Sequence, residues 1–199
     1  MGYLPEALSN YMAFLGWSPK SADREILSLE EISEIFDLSE INKAGAKFSW
    51  EKLNWINSQY IKNMESIKLI EIMRKYWDDN GWEPPSQEWA NKLAILIRDS
   101  MTLLKDSIDQ SKPFFLIPTI QKEGQDFLEN RESKLSLKLI LNYLIEQNTI
   151  NLNKEKAKEI INEISKKHNI KKGILMKSLR VAFFGSLSGP DLIQSWELF

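Results

Sequence analysis

Leu4-Pro5-Glu6-Ala7-Leu8-Ser9-Asn10-Tyr11-Met12-Ala13-Phe14-Leu15-Gly16 is the stretch on which the reading of the fold turns. Leu4, Leu8, Met12 and Leu15 recur at a spacing of three and four, which places them on one stripe of a helix. Pro5 suits a first turn, where its missing N–H leaves no bond unmade, and Gly16 suits a terminus. A short buried helix over 5–15 is predicted, with Trp17 in the turn behind it. The same signature recurs downstream. Ser28 and Glu31 have capping-box spacing before Ile32, Ile35 and Phe36, because the hydroxyl and the carboxylate each satisfy an amide left unpaired at a helix start. Ser49 is a cap for a longer helix with Trp50, Leu53, Asn57, Tyr60 and Met64 on one face; Leu69, Ile70, Met73 and Trp77 continue the pattern.

Gly81 and Pro84-Pro85 break that run. Trp89, Leu93, Leu96, Ile97, Leu104 and Ile108 then predict one long amphipathic helix to about Gln110, before Pro113 and Pro118 interrupt the chain. Helices follow near 120–129, 134–146, 154–167 (Ala157, Ile160, Ile161 and Ile164 inward) and 174–184, and Leu192–Phe199 reads as another helix beginning. Alternating strand-like runs, repeats and low-complexity tracts do not occur, so the fold class is all-α, a series of consecutive small helical modules with boundaries near 65 and 118.

Composition removes several function classes. The 199 residues contain no cysteine, which excludes thiol nucleophiles, disulfides and thiolate metal sites and accords with a reducing cytosol. The beginning, Met1-Gly-Tyr-Leu-Pro-Glu6, has neither a basic n-region nor an apolar h-region, and no apolar run approaches the roughly 20 residues that span a bilayer. A cytoplasmic protein away from membranes is expected. Net charge is -2, unevenly spread: residues 1–130 hold 14 Lys/Arg against 21 Asp/Glu, whereas 131–199 hold 12 against 7. The basic end is where a polyanion would bind, although lysine-rich solvated faces are also ordinary on helices.

Catalytic equipment is thin. His168 is the sole histidine; it falls on the stripe of Ile161 and Ile164 near a helix C-terminus, where a partly packed or dipole-facing role is expected. Glu30-Glu31 and Asp78-Asp79 are neighbours in sequence and point in different directions, so they read as solvated surface. Gly185-Ser-Leu-Ser-Gly189-Pro190 lacks the Gly-Lys-Ser/Thr ending of a phosphate cradle and reads first as a helix-terminating turn. No catalytic residue and no metal ligand is assigned.

Three segments carry a resemblance: Gly2-Tyr-Leu-Pro-Glu-Ala-Leu-Ser-Asn-Tyr-Met-Ala-Phe-Leu-Gly-Trp-Ser18, Lys52-Leu-Asn-Trp-Ile-Asn-Ser-Gln-Tyr60, and Leu179-Arg-Val-Ala-Phe-Phe-Gly185 followed by Gly189-Pro190-Asp-Leu. Together they resemble the post-catalytic, stem-contact and anticodon-binding region of the bacterial-type glutamyl-tRNA synthetases. The resemblance implies a stem-contact region over 1–65, a first anticodon-binding module over 66–118 and a second over 119–199, truncated at its C-terminus, in an elongated helical arrangement. It implies that the chain begins downstream of the ATP site with Met1 as a new start. The HIGH-like and KMSKS-like motifs of the family's catalytic domain do not occur here, so ATP and magnesium would belong to that domain and the chain alone should not aminoacylate. A glutamate-accepting tRNA and the catalytic domain are the implied partners, with a monomer expected.

Two departures stand out. The family's Glu-Arg-x-x-Thr-Leu pattern is Arg98-Asp-Ser-Met-Thr-Leu103, with the cation displaced by one position, and its threonine before glycine is Phe184. Unstacked anticodon bases are read on aromatic or guanidinium planes while cations hold the phosphates. The candidates are therefore Lys171, Lys172, Lys177, Arg180 and Phe184 with the Gly185, Gly189 and Pro190 turn, and Arg98, Lys52 and Lys62 as outlying cations. For Arg180, RNA contact and a structural salt bridge weigh equally. Trp55 is expected to pack between modules, and Asn57 to satisfy a buried backbone group. The competing reading is a helical protein-interaction module docking through Trp17 or Trp55, or an isolated piece without independent activity.

Overall fold

The computed structural model describes residues 2–19, 24–42, 45–147 and 153–199. Met1 lies outside them. Among the described residues the chain is all-α: eleven helices and two short 3₁₀ segments, with a single isolated bridge between Trp17 and Ile41. It divides into two compact units, one of residues 1–81 and 97–108, the other of 82–96 and 109–199.

The first unit begins with α1 (Pro5–Gly16), which has Pro5 in its first turn as expected but buries Ala7, Asn10 and Tyr11 rather than the expected stripe, of which Leu8 and Met12 are 39% and 59% exposed, and α2 (Leu29–Ile35), whose Ser28–Glu31 capping box is complete. Glu31 accepts from the Ser28 amide at 2.7 Å. That bond first, and the charge of Arg24 beside it, hold the Glu31 carboxyl below its ordinary range. Helix α3 (Trp50–Asn63) is capped by the Ser49 hydroxyl, which accepts from Lys52, and packs against α1; α4 (Ser66–Asp79) follows. Trp17, Leu27 and Ile32 form a small core with Phe14 and Ile35 beside it.

Two buried asparagines hold this unit together. Asn57 accepts from the Leu4 amide at 2.8 Å and donates to the Thr102 carbonyl at 2.6 Å, with no exposed surface of its own. The expectation of a buried backbone partner is met twice over. Asn10 donates to the Glu25 carbonyl and accepts from the Leu27 amide, and Tyr60 donates to the Leu27 carbonyl at 2.6 Å. Burial raises the Tyr60 hydroxyl above the ordinary tyrosine value.

Several expectations are corrected. Trp50, at the capped end of α3, is 61% exposed; Leu53 and Asn57 of the expected stripe are buried, and Ile56 and Ile61, which were not on it, are fully buried beside them. Trp55 is 45% exposed rather than packed, while Trp17 is 2% exposed, enclosed by Phe14 and Phe36 and so closed to a partner. The long helix to Gln110 is two helices, α5 (Gln87–Arg98) and α6 (Asp106–Phe115). The Asp106 carboxylate accepts from the amides of Thr102 and Leu103 at 2.9 and 2.7 Å, and Ser100 donates to the Ile97 carbonyl. Such short side chains offer the backbone partners that a continuous helix would deny it. Pro113 does not interrupt α6, which continues to Phe115. A proline costs one helical hydrogen bond there, and Phe115, stacked on Trp82 at 5.2 Å, and Phe114, stacked on Phe199 at 4.9 Å, anchor that turn.

In the second unit α7 (Lys122–Glu129), α8 (Arg131–Glu146), α9 (Lys154–His168), α10 (Lys172–Phe184) and α11 (Leu192–Ser195) surround a core of Ile140, Ile160, Ile161, Ile164, Leu175, Leu179 and Trp196. Helix α10 lies against α8, α9 and α7. His168 is exposed at the end of α9, a dipole-facing position, and not packed.

Asn57→Leu should lower stability by about 2–4 kcal/mol, since it strands a buried amide and a buried carbonyl together. Urea unfolding checks this, with the exposed Trp55→Ala, expected within about 0.5 kcal/mol of the parent, as comparison.

Candidate nucleic-acid interface

The basic end is organised around α10. At its start, α9 closes on Asn169 in the left-handed conformation (φ 54°, ψ 36°), whose N–H donates to the Ser165 carbonyl. Asparagine tolerates that region better than most residues with a Cβ. The Ser165 hydroxyl donates to the Ile170 carbonyl at 2.7 Å and the Ile170 amide returns to the Ser165 carbonyl at 3.2 Å, so the reversal from α9 to α10 is tied from within. Ile170, 3% exposed, plugs it into the core.

Around this pinned turn Lys166, Lys167, His168, Lys171 and Lys172 are all exposed, and Lys177 is exposed one and a half turns up α10. None of the five lysines forms an ion pair among the described residues, whereas Lys52, Lys68, Lys92 and Lys156 each hold a glutamate. Lys166, Lys167 and His168 also face the carbonyl end of the α9 dipole, which stabilises cations there. Lys171 and Lys172 sit at the opposite, amide end of α10, where their own charge is unfavourable and an incoming anion is favourable. Sequence reasoning named Lys171 and Lys172 but passed over Lys166 and Lys167. The signal was present in Lys166-Lys-His-Asn-Ile-Lys-Lys172, since an asparagine between two lysine pairs marks the reversal that brings them to one side.

The other end of α10 is built differently. Gly185 caps it at φ 72°, in the left-handed region, and its carbonyl accepts from Gln121 at 2.8 Å. A Cβ there would stand 2.3 Å from the Thr119 carbonyl oxygen, and one on Gly189 (φ 150°) 2.6 Å from the Phe184 ring. These glycines are required by the protein's own packing. Phe184 is 8% exposed, in a group with Phe114, Phe183 and Phe199. Among the described residues Arg180 makes no salt bridge; its Nη1 donates to the carbonyls of Gly189 and Pro190 at 3.0 and 2.9 Å. The guanidinium therefore fixes the 185–190 turn, which exposes Ser188 and Gly189.

The candidates thus fall into separate places. Lys171 and Lys172 lie at one end of α10, and Phe184, Gly185, Gly189 and Pro190 at the other, roughly 20 Å away for a helix of this length, with Lys177 and Arg180 between. Arg98, Lys52 and Lys62 belong to the first unit. Lys52 is paired with Glu25 at 2.9 Å; Arg98 is mostly covered, with Nε 3.8 Å from the adjacent Asp99 and no closer partner. Among the described residues no group of three or more His, Asp or Glu is placed to hold a metal ion, and no helix is long and apolar enough to cross a membrane.

Residues 68–199 match the anticodon binding domain family model, which covers well over half of the chain. The chain belongs to the anticodon binding domain family. Residues 1–55 match a second model, the catalytic domain of the class I (E and Q) tRNA synthetases. Over all 199 residues the chain is 96% identical to the glutamate–tRNA ligase of Prochlorococcus marinus strain AS9601, and over 198 residues 47% identical to that of strain NATL2A; it spans 42% of the length of each. The crystal structure of a glutamate tRNA ligase from Elizabethkingia meningosepticum, in complex with its amino acid, superposes on 99% of this chain with a TM-score of 0.87 at 33% identity, using 38% of that chain. The resemblance to glutamyl-tRNA synthetases therefore holds along the whole chain and beyond the three quoted segments.

Gly185→Ala should cost about 2 kcal/mol or more, because a positive φ and a close approach to the Thr119 carbonyl are both lost to the added methyl. Gly173→Ala, at an exposed helical position with open space around it, should instead stabilise by about 0.5–1 kcal/mol; thermal unfolding of the two variants side by side measures the contrast.

Proposed function

We propose that this chain recognises tRNA, holding the anticodon arm and stem of a glutamate-accepting tRNA as the non-catalytic part of a glutamate–tRNA ligase. What carries the reading is the unpaired lysine cluster on the α9–α10 turn, Lys166, Lys167, Lys171 and Lys172 with Lys177 above it, in a member of the anticodon binding domain family. Cations with no carboxylate of their own are free to replace phosphate counterions, the main source of nucleic-acid affinity. The pinned 185–190 turn supplies the complementary part: exposed backbone at Ser188 and Gly189, held rigid by Arg180, suits reading a base edge at little ordering cost. In this reading residues 1–65 approach the tRNA stem, 66–118 and 119–199 the anticodon arm, and the setting is the cytosol.

The chain's own residues bind and orient; ATP, magnesium and the acyl-transfer chemistry are the business of the catalytic domain. Of the outlying candidates, Lys62 and Arg98 remain as phosphate contacts, and Lys52 would first have to leave Glu25. Phe184 acts from inside, as the ring on which Gly189 rests.

Affinity for a glutamate-accepting tRNA should fall steeply with salt, with a slope of roughly -0.7 to -0.9 per neutralised phosphate. Replacing Lys171 and Lys172 by Gln should reduce that slope by about 1–2 and weaken binding uniformly, whereas Lys156→Gln, removing a cation already held by Glu159, should leave it unchanged. Filter-binding titrations between low and moderate salt decide it; salt-insensitive or absent binding overturns the reading.

A further inference from the structure

Asn80-Gly81 is the one asparagine–glycine step in the 199 residues, and the tRNA reading leaves it without a role. The pair stands exposed at the end of α4, with Asn80 as the cap (φ -96°, ψ 2°) and Gly81 in the left-handed region at φ 69°. Its composition makes it reactive. The backbone nitrogen that follows an asparagine can attack the carboxamide, and a glycine in that next position has no Cβ to shield the nitrogen. Nothing lies within 4 Å of the place where a Cβ of Gly81 would stand, so the approach is not obstructed from outside either. Every other asparagine is followed by a residue that carries a side chain, and Asn10 and Asn57 are buried besides.

The fold keeps the reacting atoms apart. The Asn80 carboxamide donates from Nδ2 to the Tyr76 carbonyl at 2.8 Å, and the Gly81 amide donates to the Asp78 carbonyl at 2.9 Å. The proton that must leave the attacking nitrogen is therefore shared, and the nitrogen that must depart is tied one turn back. Ring closure also needs Cβ of Asn80 and the Gly81 nitrogen nearly eclipsed about the Cα–C bond. At ψ 2° they stand about 120° apart, the spacing of substituents on a tetrahedral carbon. Such a pair is far from a near-attack arrangement, and it can meet only when the last turn of α4 opens.

We propose that Asn80 is a deamidation site gated by the last turn of α4. The Gly81 nitrogen gives its proton to hydroxide and bonds to Cγ of Asn80; the Cγ–Nδ2 bond breaks and ammonia leaves. Water then opens the succinimide at either carbonyl, giving aspartate at position 80 or its β-linked isomer. The product acts back on the gate. It loses the Nδ2 donor to the Tyr76 carbonyl and sets a third carboxylate beside Asp78 and Asp79, at the carbonyl end of the α4 dipole, where negative charge is unfavourable. The β-linked form also adds one carbon to the main chain just before Trp82, where the second unit begins. A modified chain opens more readily at this turn, whether or not tRNA is bound elsewhere.

Peptide mapping by mass spectrometry, with isoaspartate read separately, follows the 199-residue chain in mildly alkaline buffer with and without urea. In urea Asn80 should convert before every other asparagine. In the native chain it should convert about tenfold more slowly, the ratio set by a modest cost of local opening. Asp79→Gln removes a carboxylate from the helix end and should slow the native conversion roughly two- to fivefold while leaving the rate in urea unchanged. Asn80→Gln, whose longer side chain cannot close the five-membered ring, should show no conversion at this position. Another asparagine converting first in urea overturns the assignment of the site. A native rate equal to or above that in urea overturns the gate, as does an Asp79→Gln effect of the same size in both conditions.

Discussion

The first unit depends on the carboxamide of Asn57. Its two ends join three segments far apart in sequence, the start of α1, the middle of α3 and the loop between α5 and α6, through the Leu4 amide and the Thr102 carbonyl. Short helices gain little stability alone, because nucleation is costly and most of the gain comes from packing. Every interruption between them leaves backbone groups that must be paired if they are buried. An asparagine carries a donor and an acceptor about as far apart as a peptide group's, so it can stand in for a missing strand of backbone. Asn10 repeats the device for Glu25 and Leu27. The helices are thus held by their buried faces, and the register between them is set by amides.

The second unit separates, along a single helix, residues that the fold consumes from residues that it leaves unengaged. Its inner side, Leu175, Leu179, Val181 and Phe184, is core. At the C-terminal end the arginine, both glycines and the phenylalanine are consumed by the fold: Arg180 on two carbonyls, Gly185 against Thr119, Gly189 over Phe184. At the N-terminal end the lysines are released from any such duty by a turn that ties itself with Ser165 and Asn169. A rigid exposed turn and a set of unengaged cations on one rigid element suit a surface that must meet a folded polyanion, since little ordering remains to be done on binding.

Much of the fold was legible because its signals are local. The capping box at Ser28–Glu31, the Ser49 cap, Pro5 in the first turn and Gly185 at a helix end are all decided within a few residues, and all stand in the structure. The break between α5 and α6 was not legible, since hydrophobic spacing runs through it undisturbed; Asp106 turning back onto two amides ended the helix. Trp55, expected to pack, is exposed, and Trp17, offered in the competing reading as a docking residue, is buried, because burial of a single aromatic depends on what faces it. The candidate site was half legible. A lysine-rich sequence shows charge but not pairing, and pairing is what distinguishes Lys171 from Lys52.

The sequence by itself determined an all-helical chain without thiols, a basic end, and a family likeness spread over its whole length, because periodicity, composition and motif are properties of neighbours. The tertiary structure decided which cations are free, that Arg180 and Phe184 serve the fold, and that Trp50 and Met12 stand exposed. Those depend on distances between residues tens of positions apart, which only the folded chain sets.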